Sequence, residues 1–338
     1  MKIKFKLLLP IFAVAWLVSG CSQKVQIKAL NPAEVGEMSN KKHIAVSHFR
    51  NDYVGLSGKI ESQLAKNKLD GKNYFTVLSR KDMDLVLKEQ KLQSSELLDE
   101  KTSARVGKLI GAQAIINGEV TASGEADYYY DDRKECVKYI KDSGCVKWHY
   151  YKVRCDTMQA TVAANLNIVN IETGSLIYGD TLSRNYSADS CRVGRILSKD
   201  QAINQLASNI ADDFVYKLTP NYVYFSVVLL EDIELDAVTD EQEQQFENSL
   251  LYIKAGRMDR ADEILSKLMD EFDGKSYVVA YTYGVVKEAG GQLDEAKQLY
   301  EIADRETPKP VEEVNRAVMR INRYIDKRDE AKRQISVK

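Results

Sequence analysis

Apolar runs and helical spacings alternate along the first third of the chain. Leu56, Ile60 and Leu64 recur at the spacing of one helix face, whereas the run at 43–49 is short and apolar, like a buried strand. The predicted elements are strands at 43–49 and 74–78 and helices at 55–66, 80–91 and 102–110. Strands that alternate with helices predict an α/β domain.

A hairpin follows in the middle of the chain. Val162, Ala164 and Leu166 alternate with polar residues, as in a strand with one buried face, and a turn at 172–175 precedes a return strand. The predicted elements are strands at 112–120, 160–170, 175–186 and 222–230, with an amphipathic helix that begins near 200. Together these elements predict an α/β (α+β) domain over 43–232, with a mixed sheet and flanking helices. The tyrosine-rich, charged segment 121–159 lacks core residues and is predicted to protrude.

An internal repeat marks the C-terminal part. The letters GRMDRA at 256–261 match GQLDEA at 291–296, so Gly256 and Gly291 correspond, as do Ala261 and Ala296. A period near 34 residues is typical of helix-turn-helix repeats. Each glycine is expected to end a helix, and each alanine to lie where two helices cross closely.

These repeats resemble tetratricopeptide repeats over 240–327, which implies an all-α domain after the α/β domain. In the second copy, the family's small, aromatic and proline positions fall on Gly284, Ala296, Tyr300, Ala303 and Pro308. A plain bundle of helical hairpins is the alternative.

The N-terminus has the pattern of an export signal. Three lysines precede an apolar stretch at 7–18, and the small pair Ser19-Gly20 stands directly before Cys21. This resembles the bacterial lipobox and predicts removal of 1–20 and a lipid anchor on Cys21; the alternative is an ordinary signal with a chance cysteine. Ser22, in place of Asp, favours the outer membrane, with the protein facing the periplasm. Residues 21–42 are polar and are expected to form a tether.

Charge and motifs narrow the functional classes. The 338 residues carry a net charge of −2, so nucleic acid is not expected as a partner. No catalytic or nucleotide-binding motif occurs, and the three histidines are dispersed at His43, His48 and His149. We therefore expect no enzymatic activity, no cofactor and no metal.

Four further cysteines would lie in an oxidising compartment, where three disulfide pairings are possible. The hairpin turn at 172–175 places Cys155 nearly opposite Cys191, and a turn signal between Cys136 and Cys145 lets these two meet. We predict the pairs Cys136–Cys145 and Cys155–Cys191. The alternatives are Cys136–Cys155 with Cys145–Cys191, or a zinc site, which the absence of a Cys-x-x-Cys spacing disfavours.

The N-terminal part resembles the CsgG-type lipoproteins of the curli production assembly family across 43–218. The matching segments are IAV at 44–46, FTVLSR at 75–80, LIGAQAIINGEV at 109–120 and NLNIVNIETGSL at 165–176. The resemblance implies an α/β periplasmic domain and an oligomeric secretion channel whose subunits each insert two hairpins into the outer membrane.

The chain departs from that pattern where the hairpins would lie. A membrane strand needs about ten residues with one uninterrupted apolar face, but charges within 124–158 fall on both alternation classes, as at Lys147 and Lys152. The second hairpin, after Leu182, would have little room before the next helix.

The sequence therefore favours a non-catalytic adaptor on the outer membrane. Its helical repeats would present a concave surface to an envelope protein or peptide, and the chain could form a homo-oligomer. The alternative is a channel subunit of the CsgG type.

Overall fold

The computed structural model describes residues 23–336, apart from the side chains of residues 94 and 95. The predicted lipid anchor, Cys21, lies outside these residues. The strands are β1 (Lys24–Asn31), β2 (His43–Val46), β3 (Lys68–Leu69), β4 (Lys72–Asn73), β5 (Thr76–Val77), β6 (Ala114–Ile140), β7 (Gly144–Asn170), β8 (Leu176–Asp189) and β9 (Asn221–Val228). The helices are α1 (Leu56–Lys66), α2 (Arg80–Glu89), α3 (Glu100–Ile110), α4 (Ser190–Val193), α5 (Lys199–Leu218), α6 (Asp240–Lys254), α7 (Met258–Glu271), α8 (Tyr277–Ala289), α9 (Leu293–Glu306) and α10 (Glu312–Ser336). Short 3₁₀ helices lie at Gly36–Asn40 and Ser94–Leu98.

A five-stranded mixed sheet organises the N-terminal part. Its order is β5-β2-β6-β7-β8; β2 is parallel to β5 and β6, whereas β7 is antiparallel to both β6 and β8. Alternate residues of β7, including Val162, Leu166 and Ile168, are fully buried on one face. The predicted α/β domain with a mixed sheet is confirmed.

Helices cover both faces of this sheet. Ile60 of α1 and Phe214 of α5 are fully buried in the main core, which lies on one face. On the other face, Met83 of α2 and Val106 of α3 pack against Ile115. The sheet thus holds its central strands between two apolar layers.

The C-terminal part is all-helical, as predicted. α7 and α9 each have 14 residues, and they begin at Met258 and Leu293, 35 positions apart. Gly256 and Gly291 lie in the turns before them with φ of 74° and 80°, a conformation that glycine adopts without a side-chain penalty. The assignment of these helix pairs to tetratricopeptide repeats stays a prediction.

The expectation of a polar tether over 21–42 is wrong for the described residues 24–40. β1 pairs with β9, and Val25 and Ile27 are buried with Val227 and Leu229 in the core of the helices. The predicted strand at 222–230 therefore does not close the α/β sheet. β1 and β9 are almost 200 positions apart, so local sequence patterns could not pair them.

Contacts divide the chain into two compact units. Among the described residues, the first unit, here called the helical unit, comprises residues 23–29 and Tyr224–Ile325; the second, the α/β unit, comprises Leu30–Val223 and residues 326–336. Within residues 23–336, no helix has both the length and the apolar character needed to cross a bilayer.

Candidate functional site: a β-ribbon and the helical repeats

The segment predicted to protrude is a continuation of the central sheet. β6 and β7 are 27 residues each, and they stay paired from Ala114 opposite Asn170 to Ile140 opposite Gly144. β8 accompanies β7 only as far as Thr157. Beyond that point the two strands continue as a two-stranded ribbon, residues 128–140 and 144–156, here called the ribbon. The sequence pattern revealed only the buried ends of these strands, because the remainder has no buried face.

Two disulfides brace the ribbon. At its base, Cys155 of β7 is bonded to Cys191 of α4 with a Cα–Cα distance of 5.2 Å; towards its tip, Cys136 is bonded to Cys145 with a Cα–Cα distance of 5.8 Å. These are the pairs expected from the sequence. The register explains the first bond: Thr157 lies opposite Asp189, Cys155 precedes Thr157 by two residues, and Cys191 follows Asp189 by two. In an antiparallel pair the two cysteines therefore lie opposite each other.

Hydrogen bonds add to the base. The Tyr129 hydroxyl donates to Asp189 Oδ2 at 2.8 Å, and the Asp156 amide donates to Ser190 Oγ at 2.7 Å. Asp189 Oδ1 also accepts from the amide of Cys191 at 2.9 Å. The ribbon is therefore fixed at its root to the turn that follows β8.

One face of the ribbon carries both aromatic and charged side chains. The Arg154 guanidinium lies 4.3 Å from the ring centroid of Tyr128, and Lys134 Nζ lies 4.6 Å from the ring of Trp148. Such cation–π contacts stabilise cross-strand neighbours. The pairing register also places Asp132 and Lys152 on this face.

The opposite face is charged too. Arg133 Nε lies 3.0 Å from Asp131 Oδ2, and the rings of His149 and Tyr151 stack with centroids 5.8 Å apart. Neither face of the ribbon is therefore an uninterrupted apolar stripe, as the sequence indicated.

Both edges of the ribbon are open among the described residues. β6 pairs with β2 only over Ala114–Ile116, with one more bridge at Glu119, and the outer edge of β7 is covered by β8 only up to Thr157. Unpaired N–H and C=O groups along an edge are a template for pairing with another strand.

One group of potential metal ligands occurs at the base of the ribbon. Cys155, Asp189 and Cys191 bring their ligand atoms within 4.8 Å of one another. The two sulfurs are bonded to each other, so they are not the thiolates that a zinc site requires.

The repeat residues lie in the core of the helical unit. Ala261, Ala296, Tyr300 and Ala303 have no exposed surface. A Cβ on Gly284 would lie 2.6 Å from the ring of Tyr300, so a larger residue would push α8 and α9 apart. Pro308 follows α9 in an exposed connection.

A buried polar cluster, which the sequence analysis missed, joins three helices. Arg320 of α10 donates to both carboxylate oxygens of Glu288, at 3.0 and 2.8 Å, and the Tyr300 hydroxyl donates to the same carboxylate at 2.6 Å. Burial, followed by the charge of Glu288, raises the pKa of Tyr300 well above its ordinary value. Burial is the largest influence on the pKa of Arg320 and lowers it, but the hydrogen bonds to Glu288 and the electrostatic attraction of Glu288, Tyr300 and Tyr281 together raise the pKa above its ordinary value. The sequence feature that could have indicated this cluster is Lys287-Glu288, the two charged residues of an otherwise uncharged α8.

Helix α8 contributes little exposed surface to the repeats. Most of this helix is buried, and the Tyr281 hydroxyl donates to the carbonyl of Val228 in β9 at 2.6 Å. The strand pair of the helical unit thus covers part of α8, and the concave surface expected of the repeats stays a prediction.

Comparison with known proteins finds a family match for most of the chain. Residues 23–251 match the protein family described as curli production assembly/transport component CsgG. The match extends beyond the predicted 43–218 at both ends, and it includes β1 and most of α6. No individual curated protein matches the chain. Assembly and transport are not catalytic roles, in agreement with the expectation that the protein is not an enzyme.

Proposed function

Because the chain belongs to the CsgG family of curli production assembly/transport components, we propose that it is a subunit of an oligomeric secretion component in the outer membrane. The observation that best supports this function is the ribbon with two open edges. The family description supports a role in assembly or transport, and the oligomeric channel is our more specific proposal.

The two edges are suited to pairing between copies. β6 and β7 run in opposite directions, so the open edge of β7 in one copy can pair antiparallel with the open edge of β6 in the next. Because the two edges are different surfaces, each contact is heterologous, and such contacts generate a ring when the rotation closes. Every pairing would satisfy backbone groups that are otherwise exposed.

The strands of the ribbon are long enough to cross the hydrocarbon core of a membrane, as a transport channel requires. Each strand of the ribbon has about 13 residues, which at roughly 3.3 Å per residue extends about 43 Å. The hydrocarbon core of a bilayer is about 30 Å thick.

A second candidate is a periplasmic adaptor that acts by contact. The observation that favours it is the charge on both faces of the ribbon, such as Lys134 on one face and Arg133 on the other. Charges on a lipid-facing strand are destabilising by about 2–4 kcal/mol at the bilayer midplane.

We propose the same anchor for both candidates. A membrane phospholipid would transfer its diacylglycerol to the Cys21 sulfur, with release of the phosphorylated headgroup and the thiol proton. Hydrolysis of the bond before Cys21 would then remove 1–20, and a second phospholipid would transfer an acyl chain to the new amine, leaving a lysophospholipid. Several acyl chains hold a protein stably on a membrane.

Conductance across planar bilayers separates the candidates. The test variant replaces residues 127–157 by an Asn-Gly turn, which links Ala126 to Met158, the residue opposite it in the sheet. It also carries Cys191→Ser, because the deletion removes Cys155, the disulfide partner of Cys191. The channel proposal predicts discrete conductance from the full protein and none from the variant. Circular dichroism of the variant should confirm that the α/β unit remains folded.

If the full protein gave no conductance and had the mass of one or two chains in mild detergent, the channel proposal would be wrong and the adaptor proposal would be favoured. Equal conductance from the truncated variant would show that the ribbon is not the conducting element.

A further inference from the structure

The first described residue is tied to the helical unit through its backbone and its side chain. The Gln23 amide donates to Glu231 Oε1 at 2.6 Å, and its carbonyl accepts from the amide of Leu229 at 2.8 Å. The side-chain Nε2 donates to the carbonyl of Leu250 at 2.8 Å. The next residues continue directly into β1, whose Val25 and Ile27 are buried. Gln23 therefore cannot move away from the helical unit without breaking a strand.

Only Ser22 separates Gln23 from Cys21. Two residues of fully extended chain reach at most about 7 Å. A lipid on Cys21 enters the bilayer at the membrane surface, so Gln23 must stay within about that distance of the surface. The helical unit, being fixed to Gln23, has no tether to separate it from the lipid.

We propose that the end of the helical unit that carries Gln23, Glu231 and Leu251 lies against the phospholipid surface. This inference rests on the lipid anchor proposed for Cys21, and it goes further by fixing which surface of the protein meets the membrane.

The side chains at this end fit a lipid surface. Leu251 is 61% exposed, although it is a large apolar residue, and it adjoins the Leu250 carbonyl that holds Gln23. Lys254 is exposed three residues further along α6, so it lies on the same side of the helix as Leu251. A leucine can enter the interfacial region while a lysine contacts lipid phosphates. Glu231 is also exposed, but one carboxylate oxygen is taken by the Gln23 amide.

Site-specific fluorescence quenching tests this orientation. Leu251→Cys and the control Met319→Cys would each carry an environment-sensitive label; Met319 is 75% exposed on α10 in the same unit. The lipidated full-length proteins would be reconstituted into vesicles of phosphatidylethanolamine and phosphatidylglycerol that contain a nitroxide-labelled lipid. The proposal predicts that most of the fluorescence is lost at position 251 and little at position 319.

A spacer variant supplies the second arm. About twenty Gly and Ser residues, inserted between Ser22 and Gln23, behave as a flexible coil, so the anchor would remain while the constraint on Gln23 disappears. Quenching at position 251 should then fall to the level at position 319.

The failures are distinguishable. If the proteins do not sediment with vesicles, or sediment equally well with Cys21→Ser, the anchor itself is wrong, and the proposed orientation falls with it. If they sediment through Cys21 but positions 251 and 319 are quenched alike, or the spacer changes nothing, the orientation is overturned while the anchor stands.

Discussion

At the scale of single residues, the clearest determinant of the helical unit is the cluster of Glu288, Tyr300 and Arg320. Glu288 is only 1% exposed, yet its carboxylate accepts three hydrogen bonds from α9 and α10. A buried ion pair seldom adds much net stability compared with apolar residues, but loss of one partner leaves an uncompensated charge. The cluster therefore specifies how α8, α9 and α10 fit together.

Glu288→Leu should lower the free energy of unfolding by about 3–5 kcal/mol, because the buried Arg320 loses its partner. The double variant Glu288→Leu/Arg320→Met should recover most of that loss. Urea unfolding measures both. Glu301→Leu is the control, since its pair with Lys297 is exposed and worth at most about 1 kcal/mol. A double variant no more stable than the single one would contradict this role.

Buried tyrosines predict a loss of stability at high pH. Burial raises the pKa of Tyr74 from 10.0 to about 12, and the pKa of Tyr300 is also raised. The folded state thus holds these phenolic protons more tightly than the unfolded state. The stability that these protonated tyrosines contribute to the folded state is fully present below pH 10 and is lost as the pH rises from about 10 towards 12. Unfolding free energies across this range should fall for the parent and less steeply for Tyr300→Phe; the exposed Tyr53→Phe is the control. Parallel curves for all three would refute the assignment.

At the scale of elements, the ribbon shows what crosslinks do for a strand pair without a core. Two strands alone are marginally stable in water. The Cys155–Cys191 disulfide and the Tyr129–Asp189 hydrogen bond hold the base of the ribbon in place, and the Cys136–Cys145 disulfide links its strands nearer the tip. The Cys155–Cys191 bond closes 36 residues and the Cys136–Cys145 bond closes 9. A longer loop loses more entropy when it is closed.

Replacing Cys155 and Cys191 by Ser should therefore cost more than replacing Cys136 and Cys145, about 4 against about 3 kcal/mol from loop entropy. Thermal or urea unfolding under non-reducing conditions gives the comparison. The reverse order would mean that the tip bond, rather than the base bond, controls the stability of the whole unit.

The same elements show how far the sequence could lead. The strand end at 114–120 was recognisable as an almost continuously buried run, and the end at 160–170 by its alternation of buried residues. The cysteine pairs followed from the turn. The exposed length of the strands has no such pattern. In β1 the alternation of Val25, Ile27 and Ala29 is present, but it is short, and its partner β9 is distant in sequence. The Glu288 cluster depends on three helices that local spacing cannot bring together.

At the scale of the whole molecule, the family match covers 23–251, ends within α6 and leaves α7, α8, α9 and α10 outside. The chain thus combines a transport-family region with additional helices whose α8 surface is occupied by its own strands. A peptide that binds along this part of α8 would have to displace those strands.

Cys21→Ser should release the protein from membranes or leave it unprocessed, because the thiol is the proposed site of lipid attachment. Fractionation of cell envelopes, followed by measurement of the N-terminal mass, checks the prediction. Cys136→Ser/Cys145→Ser is the control, since it removes cysteines without touching the anchor. A Cys21→Ser variant that fractionates and is processed like the parent would contradict the anchor.

The most direct test of the central claim is the mass of the complex extracted from membranes in mild detergent, measured for the parent and for the variant that joins Ala126 to Met158. Edge pairing through the ribbon predicts closed particles many times the mass of one chain for the parent and single chains for the variant. A parent that is monomeric, or a variant that forms the same large particles, would contradict the account.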